Sequence, residues 1–350
     1  MSAKNRLGSS AWRKHFDSIG CPSDLKSTYL AYIDRMTGRG FPPILDFGHL
    51  ASLLGRTPAY LASAINGTKC HYRQFVIPKR RGGARTISAP YPALLECQQW
   101  INREILEHID VHSAAHGFRR KRSIATNASQ HLNKACLLKM DIKDFFPSIK
   151  LRRVIAVFRD LGYPKNISVY LGRLCSLDGQ LPQGAATSPA MSNIIAKQLD
   201  CRLLGVAKKW RLRYTRYADD LCFSGPHISI QFPKLVSRIC EEEGLQINAS
   251  KTQLCRSKGR RIVTGLSVSG ERLRVPRAFK REVRQEMHYI KVHGYWSHVS
   301  KRKIRNPFYL QSLYGKLMFW RWIEPDNSFV NSAFDVLRNL VHENGEFEKD

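Results

Sequence analysis

Acidic residues are scarce in this sequence: Asp and Glu total 28 against 57 Lys and Arg, a formal net charge of +29. A small acidic segment lies at the C-terminus, Glu343 to Asp350. Such a field attracts polyanions and supplies contacts to a phosphate backbone. Taken alone, the charge also fits a solvated basic surface or a membrane-surface protein. Cysteines never occur as CxxC, and their count of nine is odd. That argues against a zinc knuckle and against a secreted disulfide framework. Cys136 and Cys222 lie inside apolar runs, as buried free thiols do. No apolar run reaches the roughly 18 to 20 residues that span a bilayer. The N-terminus carries charge but no continuous hydrophobic segment of signal-peptide type. The expectation from these absences is a cytoplasmic protein with no membrane partner. Internal repeats and low-complexity linkers are missing too.

What is present is enough apolar material for a sizeable core: 43% of 350 residues. Length gives a soft expectation of about two domains or one multi-lobed enzyme. Residues 1–45 are mixed and poorly periodic. Asp46 to Ile65 reads as one or two short helices, with Asp46 and Thr57 as caps and Pro58 opening the second. Arg73 to Ile77 and Thr86 to Ser88 read as extended segments around a basic glycine turn. Pro92 to Ile109 and Ser123 to Leu132 read as helices. Ala135 to Ile142 is an apolar strand ending in an acid. Arg152 to Leu161, Ile167 to Leu177 and one long run from Thr187 to Trp210 read as helical. Leu212 to Tyr217 and Leu221 to Ser224 flank Ala218-Asp219-Asp220 as a β-hairpin. Ile230 to Glu242 is helical, Val263 to Val268 and Leu273 to Val275 are short strands, and Arg277 to Lys291 and Pro307 to Trp322 are helices. The alternation suggests an α/β core with helical lobes.

The acids carry the chemistry. Asp141 ends an apolar strand, and Pro147 stops its continuation. By itself it is equally an ordinary solvated strand end. Asp219 and Asp220 are adjacent carboxylates inside an aromatic and apolar hairpin. Like charges repel there and desolvation raises the cost; a divalent cation would reverse the penalty. Oxygen ligands with no nearby His or Cys pattern suit Mg²⁺, or Mn²⁺, better than Zn²⁺. Two such ions about 3.5 to 4 Å apart could activate a hydroxyl and stabilise a leaving pyrophosphate.

At this point the sequence resembles the reverse transcriptase family. Tyr217-Ala218-Asp219-Asp220 matches its YADD box. Asp141-Ile142-Lys143-Asp144-Phe145-Phe146 and Leu181-Pro182-Gln183-Gly184-Ala185-Ala186-Thr187-Ser188-Pro189 precede it in order and at suitable spacing. Asn127-Ala128-Ser129-Gln130-His131 and Val263-Thr264-Gly265 resemble the NAxxH and VTG signatures of bacterial retron enzymes, and Ala115-His116-Gly117-Phe118 resembles a third retron segment. The resemblance covers about residues 45 to 325. It implies an α+β, right-hand polymerase with fingers, an antiparallel-sheet palm and a mainly helical thumb. Its implied parts are an N-terminal extension (1–45), N-terminal helices and fingers (46–134), a palm with an interleaved fingers segment (135–262), the palm–thumb junction and basic thumb (263–330), and a C-terminal tail (331–350).

Roles carry over by position. Asp141, Asp219 and Asp220 correspond to the catalytic, metal-binding carboxylates. Phe146 resembles the aromatic gate that excludes a 2′ hydroxyl; if the stretch stays extended, Phe145 points to the opposite face. Asp144, Gln183, Gly184 and Asn193 belong to the expected nucleotide pocket. Lys79 and Arg85 flank Gly82-Gly83 and resemble a triphosphate grip, although the GxxxxGK[ST] loop is absent. Lys251 resembles a lysine near the palm and nucleotide; a plain surface lysine is the alternative. Asn127, His131, Val263, Thr264 and Gly265 are expected at a nucleic-acid contact.

Positions 270 to 305 contain 11 Lys or Arg and three acids. Arg277, Lys280, Arg281 and Arg284 fall on nearby faces of a helix and suit an RNA-binding thumb. The resemblance implies dNTP substrates and a structured non-coding RNA serving as template and primer. Priming would start from an internal guanosine 2′ hydroxyl. The products would be an RNA–DNA hybrid and RNA-linked single-stranded DNA (msDNA). It also implies a retron effector protein in antiphage defence, with host RNase H acting separately. The alternatives are a group II intron-like or other mobile-element enzyme, an RNA-directed RNA polymerase, which Phe146 disfavours, and a non-enzymatic RNA-binding protein.

Overall fold

The computed structural model describes residues 9–78, 82–256 and 259–343. Two helices open the chain, α1 (Ser9–Ser18) and α2 (Ser23–Gly38). The sequence shows little periodicity here because α1 has few apolar residues and α2 buries mainly its second half. Phe16, Leu30, Tyr32, Ile33 and Met36 nonetheless enter the main core. The Tyr32 hydroxyl donates to the Ile44 carbonyl at 3.1 Å, tying α2 to the following loop.

Helices α3 (Phe47–Leu53) and α4 (Pro58–Asn66) start where the sequence places caps. The Asp46 carboxylate accepts from the His49 amide at 2.8 Å, and the Thr57 hydroxyl from the Tyr60 amide at 3.2 Å. Each satisfies an amide that the first helical turn leaves unpaired. Strands β1 (Tyr72–Pro78) and β2 (Ala84–Pro90) form a separate antiparallel hairpin. Gly82 and Gly83 both adopt positive φ in its turn, a conformation that favours glycine. Lys79, expected at this grip, lies outside the described residues.

Helices α5 (Pro92–Glu104) and α6 (Ile124–Ser129) precede β3 (Cys136–Asp141). After β3 come α7 (Phe145–Ser148), α8 (Leu151–Asp160), α9 (Lys165–Leu174), α10 (Ser188–Ile195) and α11 (Lys197–Lys209). Two readings change here. Phe145 and Phe146 begin a short helix instead of continuing an extended strand, because Asp144 turns the chain with φ of 45°. The single helix expected over Thr187 to Trp210 is two, broken at Ala196.

The central sheet is completed by β4 (Arg213–Tyr217), β5 (Asp220–Gly225) and, after α12 (Phe232–Glu242), β6 (Gln253–Cys255). Its order is β4-β5-β3-β6, and every pairing is antiparallel. The fold is therefore α+β, with helices packed around an antiparallel sheet. Leu138, Met140, Tyr214, Leu221 and Phe223 point into the core that α11 and α12 cover. Alternation along each strand sends the opposite face to a second, smaller cluster.

That smaller cluster joins Leu137 and Cys222 to Ala128 of α6 and to Val263, Leu266 and Val268. The segment expected as one strand, Val263 to Val268, folds back on itself as β7 (Ile262–Val263) and β8 (Leu266–Ser267). Thr264 and Gly265 make the two-residue turn, both at positive φ. The C-terminal helices are α13 (Arg277–His293), α14 (Tyr295–Lys301), α15 (Tyr309–Ile323) and α16 (Ser328–Glu343). They have their own core around Val283, Met287, Leu313, Leu317, Trp320, Val330 and Leu337. Among the described residues no helix is long and apolar enough to cross a membrane.

Replacing Ile33, which is 1% exposed, by alanine tests whether the first helices belong to the core. The substitution should cost about 2 to 4 kcal/mol in urea unfolding. A loss below about 0.5 kcal/mol would mean that α2 is not part of the cooperative unit.

Candidate active site

Strand pairing brings the three acids to one rim of the central sheet. Asp141 and Asp220 stand directly opposite each other on β3 and β5. Such cross-strand partners have Cα atoms roughly 4.5 to 5.5 Å apart and share a face. Tyr217 and Asp220 close the β4–β5 hairpin, leaving Ala218 and Asp219 as its two turn residues. Ala218 takes φ of 55° there. The Ile142 amide donates to the Asp219 carbonyl at 2.9 Å, fastening the turn to the end of β3. Motifs separated by some 80 positions in the chain thus form one acidic rim.

The electrostatics follow from that geometry. Burial pushes the Asp219 carboxyl up to about 6, helped by the neighbouring Asp220 and Asp141 charges. Burial also raises Asp220, against the pull of Lys139. Lys251 answers part of this charge: its Nζ donates to both carboxylate oxygens of Asp141, each at 2.8 Å. Among the described residues no three His, Cys, Asp or Glu side chains form a finished metal cage. The donor set still suits a hard divalent cation, being all oxygen and short of positive charge.

Asp141 and Asp219 open onto a cleft of about 570 Å³, whose lining does not include Asp220. It is lined by Asp141, Asp144, Phe146, Gln183, Asp219 and Lys251, with Arg85 of β2 on its far wall. The Phe146 ring packs against Phe118 at 6.0 Å and Phe145 at 5.6 Å. Phe145 itself is buried in the core, and its ring stays in contact with Phe146 where an extended strand would have sent the two to opposite faces. Gly184 is needed for a close approach, although to protein: a Cβ there would meet the Ser88 carbonyl oxygen at 2.8 Å. The Ser88 amide donates to the Gln183 carbonyl at 2.8 Å, docking the cleft floor on β2.

Asn193 does not reach this cleft. It is 1% exposed, its amide nitrogen donates to the Gly117 carbonyl at 2.8 Å, and its oxygen accepts from Arg216 at 3.0 Å. At that burial the side chain has no surface to offer a nucleotide. Sequence reasoning missed Arg216 and Asp200, with which Asn193 makes a buried network. The available signal was an arginine alternating onto the same face of a strand as Tyr214, where a buried cation requires an acid.

Comparison with known proteins now bears on this arrangement. The family described as reverse transcriptase (RNA-dependent DNA polymerase) matches residues 77–295. The chain belongs to the reverse transcriptase family. Its curated relatives are of the bacterial retron type. It is 38% identical to the retron Mx162 reverse transcriptase of Myxococcus xanthus, over 63% of this chain and 53% of that protein. It is 33% identical to the retron Ec86 reverse transcriptase of Escherichia coli, over 76% of this chain and 84% of that protein. The retron Mx65 reverse transcriptase of Myxococcus xanthus is 36% identical, over 57% of this chain and 51% of that protein. The chain thus spans about half the length of the Myxococcus relatives and most of the Escherichia one.

In this chain the two retron-like signatures pack against each other and against the back of the acid-bearing sheet. His131 is fully buried, with its ring nitrogens 2.7 Å from Ser224 Oγ and from Thr215 Oγ1. Burial drives its pKa down to about 3, so the ring is neutral at ordinary pH. Asn127 is also fully buried. The Thr264 hydroxyl donates to the Ile124 carbonyl at 2.9 Å, and Val263 is buried. Asn127, His131 and Val263 therefore cannot touch RNA in this conformation, because they have no exposed surface to offer. Gly265 is exposed, and its positive φ of 85° explains the glycine.

The basic residues of α13 do come together. Arg277, Lys280, Arg281 and Arg284 line one hollow of about 470 Å³. Two of them are partly committed: Lys280 Nζ donates to Glu324 at 2.6 Å, and Arg284 stacks over Trp320 and Phe329. Arg277 and Arg281 are exposed.

Two outcomes follow. His131→Ala should cost about 1 to 3 kcal/mol by stranding buried hydroxyls, while leaving the salt dependence of RNA binding unchanged; a smaller salt slope would restore His131 to the interface. In metal-free buffer at pH 8, Asp219→Asn should melt above wild type. The folded carboxyl has a raised pKa, so its charge opposes folding above about pH 6 and that opposition fades as pH falls towards its ordinary value of 3.8. The gap should therefore close by pH 4, and a variant less stable at pH 8 would contradict the assigned crowding of charge.

Proposed function

We propose that this chain is an RNA-directed DNA polymerase that extends a primer with dNTPs by two-metal catalysis. The observation that carries the reading is the register of the central sheet. It sets Asp141 opposite Asp220, with Asp219 next to them, and Asp141 and Asp219 line a cleft that also holds an aromatic side chain and basic residues. Asp141, Asp219 and Asp220 would hold Mg²⁺, with Mn²⁺ as a substitute. Bound there, the ions would activate the primer hydroxyl and stabilise the charge on the departing pyrophosphate.

The chain's own residues supply placement. In this reading the β1–β2 hairpin belongs to the fingers, the central sheet is the palm, and α13 to α16 form the thumb. Arg85, with Lys79, grips the triphosphate through charge-assisted contacts. Phe146 lies under the sugar and excludes a 2′ hydroxyl by overlap. Asp144 and Gln183 bound the same pocket, and Lys251 gives up Asp141 when a metal enters. Arg277 and Arg281 hold the duplex backbone, contributing affinity more than base choice.

The proposed template and primer is a structured non-coding RNA of the retron kind. It is copied from a guanosine 2′ hydroxyl into RNA-linked single-stranded DNA. Antiphage defence with an effector protein, and removal of copied RNA by a separate RNase H, complete the proposal. Its support is the retron identity of the relatives. Sequencing and linkage mapping of nucleic acid copurified with the active protein tests template and priming together. A 2′–5′ branched RNA–DNA product is expected, and a linear 3′-primed product would redirect the assignment to another mobile-element enzyme.

Phe146→Ala should weaken discrimination between dNTP and NTP in primer extension by at least about tenfold, roughly 1.4 kcal/mol of lost selectivity. Unchanged discrimination would remove Phe146 from the gate, and preferential NTP use by the wild type would overturn DNA synthesis itself.

A further inference from the structure

Tyr214 and Arg216 of β4, with Asn193 of α10 and Asp200 of α11, form a buried polar network that touches the Ala218–Asp219 turn. Arg216 and Asp200 are both fully buried. They make a two-pronged ion pair, Nε to Oδ1 at 2.8 Å and Nη2 to Oδ2 at 2.7 Å. The Tyr214 hydroxyl donates to the same Oδ1 at 2.8 Å. The remaining guanidinium nitrogen, Nη1, is split between Asn193 Oδ1 at 3.0 Å and the Ala218 carbonyl at 3.1 Å. Ala218 is the residue at positive φ beside Asp219. A left-handed alanine is disfavoured and persists only where its surroundings hold it.

The turn is held from a second side by the same network. The Asn193 amide fixes the Gly117 carbonyl, and a Cβ at Gly117 would lie 2.7 Å from the Ala218 nitrogen. The backbone of Arg216 is bonded in both directions to this segment, to the Ala114 carbonyl and from the His116 amide, each at 2.8 Å. The Arg216 guanidinium also lies over the Phe145 ring at 5.9 Å. A generic core filler would not need a charge, and buried ion pairs are poor stabilisers compared with apolar side chains of equal volume. What a guanidinium fork supplies here is direction: two prongs fixed by Asp200 aim the third nitrogen at one backbone carbonyl.

We propose that Arg216, oriented by Asp200 and Asn193, is a positioning residue that holds the Ala218–Asp219 turn in its metal-binding shape. The inference rests on Asp219 being a metal ligand, as argued above.

The decisive variant is the double replacement Arg216→Met with Asp200→Leu, which removes both charges and strands neither. Its melting temperature should fall by no more than several degrees, the loss coming from the buried Tyr214 hydroxyl and Asn193 Oδ1 that give up their partners. Its kcat for primer extension should fall roughly 10- to 100-fold, the range typical when a ligand loses its supporting partner, with KM for dNTP within about threefold. Mn²⁺ binding to the protein without nucleic acid, followed by electron paramagnetic resonance, should weaken by a similar factor. Values of kcat and Mn²⁺ affinity within twofold of wild type would overturn the proposal. If the double variant melts below the assay temperature, Asn193→Ala decides instead: it leaves the ion pair intact and should lose several-fold in kcat and Mn²⁺ affinity, and no loss in either overturns the proposal. Asp219→Asn, run in parallel, separates the two claims. Full extension by that variant sinks the metal-ligand reading, whereas an inactive Asp219→Asn beside normal network variants sinks only the role of Arg216.

Discussion

Everything in this molecule is arranged around a repulsion. Antiparallel pairing puts the carboxylates of Asp141 and Asp220 opposite one another, and the hairpin turn adds Asp219 at the same rim. Burial prevents water from screening them, which is why the Asp219 carboxyl is displaced to about 6. A sheet end loaded in this way is unfavourable by itself. It is tolerable because the strands beneath it are packed on both faces and because Lys251 lends a cation to Asp141.

The supporting structure is correspondingly stiff and local. One face of the sheet rests on the main core, and the other on α6 and the β7–β8 hairpin. His131 bridges β4 and β5 from behind, and Thr264 ties the small hairpin to α6. Beneath the turn, Arg216 and Asp200 replace ordinary packing with directed bonds. The rim is thus braced by neutral hydrogen bonds on one side and a buried ion pair on the other.

Much of this was legible in the residues. The caps at Asp46 and Thr57, the acid-tipped strand and the hairpin around Asp219 follow from local patterns that the fold leaves intact. The failures have specific physical causes. Ala196 is a strong helix former, so nothing in its neighbourhood announces the break between α10 and α11. Asp144 bends the chain through a left-handed conformation that nothing in the Ile142-Lys143-Asp144-Phe145 stretch announces. Asn127, His131 and Asn193 are polar, and polarity in a positively charged chain reads as surface. Their burial depends on partners more than 70 positions away in the case of Asn193 and His131. Pairings at that separation are invisible to any local window. The N-terminal helices escaped notice because α1 has few apolar residues and α2 confines its buried ones, Leu30, Tyr32, Ile33 and Met36, to one short stretch.

The contact between Gly184 and β2 has a mechanical consequence. Backbone meets backbone there, with a hydrogen bond from Ser88 to Gln183 and no room for even one methyl group. The hairpin and the floor beneath it are consequently a single jaw. Any swing of β1 and β2 that keeps this bond must drag Gln183 along, so the width of the cleft and the position of its floor are one variable instead of two.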